Sequence, residues 1–126
     1  MVTSQAASGT TVARQATVLF GFDSAALTPT ARSQIDQAAG IPGIQRIAIR
    51  GRTDNTGRSD VNEGIARTRA EAVWNHLRTH HPQLTGAEVT LDAQGGCCFA
   101  ALNDTLRGRA QNRRVEVVFE RGSRDP

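Results

Sequence analysis

Apolar and polar positions alternate along this chain in two rhythms, one with the period of a strand and one with the period of a helix. Thr17-Val18-Leu19-Phe20 reads as a first strand, and Arg46-Ile47-Ala48-Ile49-Arg50 alternates without a break. That second run predicts a strand with Ile47 and Ile49 facing inward. Glu88 to Asp92 alternates as a third strand, and Arg113 to Glu120 as the last. In the last run Arg113 shares a side with Val115, Val117 and Phe119, while Arg114 points the other way, toward solvent. An inward Arg113 needs a partner, either an internal acid or a bound anion.

Two segments between these runs carry helical spacing. Thr28 is placed to cap the first and Pro29 suits its opening position. Ile35, Ala38 and Ala39 give it an apolar stripe, and Ile41-Pro42-Gly43 ends it. Ser59 is placed to cap the second, with Val61, Ile65, Ala72, Val73 and Leu77 as its buried stripe and His80-His81-Pro82 as its end. Leu106 to Asn112 reads as a short helical turn. The order βαβαββ predicts an α/β (α+β) sandwich: one mixed four-stranded sheet covered on one face by two main helices. The domain is expected over 17–120, after a polar linker or truncation start at 1–16 and before a flexible tail at 121–126.

Length and composition narrow the picture. A chain of 126 residues is one domain, able to bury about two-thirds of its unfolded surface. The net charge of +3 is too small an excess to name a partner. The aromatic count is more informative: no Tyr, one Trp and four Phe leave little to stack on bases or sugar rings. Recognition is therefore expected to run through charge and hydrogen bonds. No apolar run approaches the length of a membrane span or a signal peptide.

The segment richest in chemistry is Gly51-Arg52-Thr53-Asp54-Asn55-Thr56-Gly57, followed by Asn62 and Arg69-Ala70. An acid sits in a glycine-bounded turn after a strand. Asn62 and Arg69 stand nearly two turns apart on the next helix, so they share a face. A short turn can set Asp54 beside that face. A fixed minus next to a fixed plus suits a zwitterion.

This run resembles the outer-membrane-protein-A-like (OmpA-like) peptidoglycan-binding domain. The likeness continues upstream in Phe20-Gly21-Phe22-Asp23-Ser24-Ala25-Ala26-Leu27. Downstream it continues in Asn103, Thr105 and Gly108-Arg109-Ala110-Gln111-Asn112-Arg113-Arg114-Val115-Glu116, so it spans about Thr17 to Glu120. The resemblance implies a non-catalytic module that binds peptidoglycan through the diaminopimelate residue of the stem peptide. Such a module anchors an envelope protein or assembly to the cell wall. It implies that Asp54 and Arg69 engage the ammonium and carboxylate at the free end of diaminopimelate. Arg offers a planar fork to a carboxylate, and Asp accepts from an ammonium. Asn62 is expected to orient the ligand or brace Arg69, and Thr53 to act likewise through its hydroxyl. Asp23, Ser24 and Ala25 close one side of the pocket, partly through backbone groups, and Arg113 meets the ligand carboxylate or an internal acid. The implied setting is the periplasm or envelope of a Gram-negative-type bacterium. Other envelope proteins are then partners through the parent protein, and any membrane anchor lies outside this sequence.

Cys97-Cys98 departs from the family pattern, as do Phe99, where a Pro is usual, and Ala93, where a Gly is usual. In an oxidising compartment the two cysteines form a disulfide between neighbours, stay as free thiols, or bond one to another chain. A domain that has lost its ligand and serves in assembly is the rival reading, and this altered loop is its support. A nucleic-acid or anion binder built on Arg109, Arg113 and Arg114 is the second rival, weakened by the lack of aromatics. His76 and His80, with His81, lack an accompanying ligand motif and read as solvated side chains at a helix end. No nucleophile elbow, phosphate loop or metal-ligand set is present, so no enzyme, cofactor or metal is expected.

Overall fold

The structure is a computed structural model and describes residues 10–122. Its elements are β1 (Thr10–Leu19), α1 (Pro29–Ala39), β2 (Ile44–Gly51), α2 (Ser59–His80), β3 (Glu88–Ala93), α3 (Leu106–Asn112) and β4 (Arg114–Gly122). A 3-10 turn over Pro82–Gly86 joins α2 to β3. The strands form one sheet in the order β1-β4-β2-β3. β4 is antiparallel to β1 and to β2, and β2 is parallel to β3. β1 and β2 therefore run the same way, with β4 inserted between them. Each long helix connects strands of like direction, and both connections step the same way across the sheet. Right-handed crossovers then put both helices on one face.

Alternation decides what lies between the layers. Val18, Ile47, Ile49, Val115, Val117 and Phe119 point inward and are fully buried, facing Ile35, Ala39, Val73 and Leu77 from the helices. Thr28 caps α1 as its pattern predicts, its Oγ1 accepting from Ala31 N at 3.0 Å.

Several expectations need correction. β1 begins seven residues before Thr17 and pairs with β4 along its length, from Thr10↔Gly122 to Leu19↔Arg114. An edge strand is held by backbone pairing and needs no inward side chain at its outer end. A register shift between Val12 and Arg14 also breaks the alternation that would have revealed it. Residues 10–16 thus belong to the sheet rather than a linker, and Arg121 and Gly122 to β4 rather than a tail. Residues 1–9 and 123–126 lie outside the described range.

Ser59 does not cap α2. Arg58 holds the cap position without a side-chain bond, and Ser59 is the first helical residue. The buried face of α2 is Asn62, Ala66, Arg69, Ala70, Val73 and Leu77, whereas Val61 is exposed and Ile65 and Ala72 are half-buried. The reason is the close approach of α2 to β2. A Cβ on Gly51 would stand 2.0 Å from the Ala66 carbonyl oxygen and 3.3 Å from Ala70 Cβ. Only small residues fit that contact, so the bulkier Val61 and Ile65 turn to its margin.

His76 and His81 are not solvated, whereas His80 is exposed. His76 Nε2 and His81 Nε2 both lie 2.8 Å from Asp36 Oδ1, and their side chains are 7% and 15% exposed. Burial pushes the Asp36 carboxyl up, but the hydrogen bonds and charge of His81 and His76 outweigh it and hold the group below its ordinary value. The partner comes from α1, so no pattern within α2 shows it. Arg114 is likewise buried rather than solvated. Its Nε donates to Glu116 at 2.6 Å and its Nη2 to the Cys98 carbonyl at 2.8 Å, because the 94–101 loop folds over it.

Candidate functional site

The C-terminal ends of β1 and β2 and the start of β4 meet at one end of the sheet. The loop after β1, the β2–α2 turn, the first half of α2 and Arg113 enclose a pocket of about 230 Å³ there. Asp23, Thr53, Asp54, Asn62, Arg69 and Arg113 all line it. The fold therefore gathers six of the eight ligand candidates from segments up to ninety residues apart. Ser24 and Ala25 line a neighbouring cleft instead, with Gly64 and Thr68.

Asp54 is 4% exposed. Its Oδ1 accepts from Thr56 N at 2.9 Å, which folds the turn, and its Oδ2 accepts from Arg113 Nη1 at 3.0 Å. A carboxylate offers about four acceptor sites, so two stay free. Arg113 also donates through Nε to the Phe20 carbonyl at 3.1 Å, tying β4 to the loop after β1. Arg113 thus meets an internal acid, one of the two partners the sequence left open for it.

Arg69 does not pair with Asp54 directly. It donates from Nε to Ser24 O at 2.8 Å, from Nη2 to Gly21 O at 3.1 Å and from Nη1 to Arg52 O at 3.3 Å. Its guanidinium also lies over the Phe20 ring, 5.4 Å from the centroid. One buried side chain thus pins the loop after β1 to the end of β2. Burial, then repulsion from Arg113, pulls its pKa down to about 10 against the opposing pull of Asp54 and Asp23. It remains a cation at neutral pH. Two of its five N–H groups have no carbonyl partner, and they belong to a charge that burial leaves under-compensated. The pocket floor therefore holds two guanidiniums and one buried carboxylate.

Asn62 is buried beside them, and among the described residues its carboxamide makes no side-chain hydrogen bond. Thr53 faces inward differently: its hydroxyl donates to Asp54 O at 2.8 Å and accepts from Gly96 N at 3.1 Å, so it braces the turn. Asp23 adopts a left-handed backbone, φ 54°, at the rim. Ser24 contributes through its carbonyl to Arg69, while its hydroxyl caps Ala26 N at 3.1 Å.

Sequence reasoning missed the apolar wall of Phe22, Val61 and Ile65. The signal was present, since Val61 and Ile65 flank Asn62 at helical spacing, but the pair fits a core stripe equally well. The Asn103 and Asn112 positions turn out to be structural. Asn112 is fully buried, accepts from Ala100 N and Ala101 N, and donates to Ala101 O and Asn103 Oδ1. Cys97 and Cys98 are joined by a disulfide between neighbours on the 94–101 loop.

Comparison with known proteins finds matches over most of the chain. The model of the OmpA family matches residues 19–113. Peptidoglycan-binding protein ArfA of Mycobacterium tuberculosis is 33% identical over 105 residues, covering 80% of this chain and 31% of that protein. Outer-membrane lipoprotein YfiB of Pseudomonas aeruginosa is 31% identical over 104 residues, covering 80% of this chain and 61% of that one. The crystal structure of the peptidoglycan-associated lipoprotein from Burkholderia pseudomallei superposes with a TM-score of 0.64 at 30% identity, covering 82% of this chain and 89% of that chain. The chain spans about a third of the length of ArfA and under two thirds of that of YfiB.

Proposed function

This chain belongs to the OmpA family, and from that premise we propose that it is a non-catalytic module that binds peptidoglycan through the diaminopimelate residue of the stem peptide. The observation that carries this reading is the charge inventory of the pocket. Two guanidiniums, one of them fully buried, stand against one buried carboxylate with free acceptor sites, while the second lining carboxylate, Asp23, is exposed at the rim. An incoming carboxylate supplies the missing negative charge to Arg69 and Arg113, and Asn62 adds a free carboxamide. An incoming ammonium uses the open lone pairs of Asp54. The apolar wall of Phe22, Val61 and Ile65 suits the methylene stem between the ligand's head and its backbone. Neither charge alone selects this ligand; both at side-chain separation do.

The names of relatives support wall binding in the cell envelope as the setting, and the parent protein carries the anchoring role and its other partners. The assembly-module rival rests on the altered cysteine loop. That loop stands behind Thr53 and contributes no residue to the lining of the pocket, so it leaves the ligand's seat open.

Titration calorimetry with a diaminopimelate-containing stem peptide, beside the same peptide carrying Lys, tests the reading. Lys keeps the amine and lacks the carboxylate. The diaminopimelate peptide is expected to bind and the Lys peptide to bind far more weakly. Asp54→Asn is expected to lower affinity by about 30-fold or more, the effect of removing one member of a desolvated charge pair. Equal affinity for the two peptides, or an unchanged Asp54→Asn variant, refutes it.

A further inference from the structure

The Cys97–Cys98 pair stands one residue from a contact to the pocket, and that adjacency has chemical consequences. Gly96 N, immediately before Cys97, donates to Thr53 Oγ1 at 3.1 Å. Gly95 packs on α2 so closely that a Cβ there would stand 2.4 Å from the Asn62 carbonyl carbon and 2.5 Å from Asn62 Cβ. On the far side, the Cys98 carbonyl accepts from Arg114 Nη2 at 2.8 Å. Arg114 Nη1 is buried with no partner, so this guanidinium relies on Cys98 and Glu116. Cys98 itself holds φ at 60°, a left-handed conformation that a side chain with a Cβ adopts rarely. Two pocket residues are thus held by Gly95 and Gly96, next to the ring that the sulfur–sulfur bond closes, and one buried arginine by Cys98 within it.

From this we infer that Cys97–Cys98 is a reversible thiol–disulfide site whose oxidation state sets the affinity of the pocket. The inference rests on the ligand-binding reading above. Reduction breaks one S–S bond with two electrons and two protons and leaves two thiols. A dithiol reductant supplies them by exchange and departs as its own disulfide. Access is open: Cys98 is exposed and Cys97 lines a groove with Ser59, Asp60 and Gln94. Once the ring opens, the two sulfurs separate to non-bonded distance and Cys98 is no longer held left-handed. Its carbonyl then turns from Arg114, and Gly95 and Gly96 lose the fixed geometry that presses Asn62 and pins Thr53. The oxidised form is the tight binder because its pocket wall is already in place.

The test uses the whole 126-residue chain with the diaminopimelate stem peptide, oxidised or treated with dithiothreitol, beside the double variant Cys97→Ser/Cys98→Ser. The oxidised protein is expected to bind about tenfold more tightly than the reduced one, the effect of about one hydrogen bond. The double variant is expected to match the reduced protein and to ignore dithiothreitol. Equal affinity in all three forms overturns the inference, as do two free thiols after mild oxidation. If no form binds the peptide, the ligand reading fails, and amide NMR still decides the coupling. Shifts of Thr53, Asn62 and Gly96 on reduction support it, and unmoved signals overturn it.

Discussion

Arg69→Lys separates the two duties that converge on this arginine. The substitution keeps the positive charge and most of the stem but replaces a planar fork with a single ammonium. Arg69 now satisfies three carbonyls from separate segments: Ser24, Gly21 and Arg52. An ammonium on a shorter reach keeps one of them. Two carbonyls then lose this donor, each costing about 1–3 kcal/mol where it is left buried and unpaired; Gly21 O keeps its bond from Ser24 N at 3.2 Å and falls at the low end. The weakest of the three, at 3.3 Å to Arg52, pulls the sum toward the lower end. We expect a loss of about 3 kcal/mol. For a domain of this size that is a fall in Tm on the order of 10 °C. Thermal and urea unfolding followed by circular dichroism measure it, with peptide titration well below the variant's Tm measuring affinity. Stability and affinity are expected to fall together, because the loop that Arg69 pins is also a wall of the pocket. A Tm within about 2 °C of the wild type would falsify the pin. If affinity fell without stability, Arg69 would act on the ligand alone.

Gly51→Ala is expected to destabilise the fold by about 3 kcal/mol or more, since its Cβ would fall 2.0 Å from Ala66 O, backbone that cannot yield without moving α2. Urea unfolding measures this, and a variant as stable as the wild type would show that α2 is not held at that distance. Asp36→Asn tests the clamp between α1 and the end of α2. The folded carboxyl is held below its ordinary value of 3.8, so its ionised form stabilises the fold above that pH, and the contribution is lost as pH falls through the depressed value. Wild type is therefore expected to exceed Asp36→Asn in Tm at pH 7 and the two to converge in strong acid; a gap that does not narrow refutes the histidine clamp.

Much of the candidate site was legible because its residues sit at punctuation marks. Asp54 follows a strand and precedes a helix, and Asn62 and Arg69 share a helical face, so local geometry alone brings them near one another. What local geometry could not supply was the identity of each partner. The acid beside Asn62 and Arg69 pairs with Arg113, which arrives fifty-nine residues later, just before β4. Arg69 spends its fork on carbonyls, which leave no mark in a sequence because every residue carries one. The same blindness hid Asp36 from His76 and His81, and Cys98 from Arg114.

By itself the sequence determined the element types, the inward faces of β2 and β4, the end of α1 and the family, because periodicity and turn chemistry act over a few residues. The tertiary structure decided the strand order β1-β4-β2-β3, the length of β1 and the phase of α2. Each of these depends on a contact between distant segments. β1 is extended by backbone bonds to β4 that any side chains permit. α2 is rotated by the steric limit at Gly51, which favours alanines over the larger apolar residues that hydrophobicity alone would bury. The charge balance of the pocket is tertiary in the same sense. Asp54, Arg69 and Arg113 come from separate segments and lose water together on folding, while Asp23 stays exposed at the rim, so a guanidinium surplus among the enclosed groups that is trivial in solvent becomes a demand for a carboxylate.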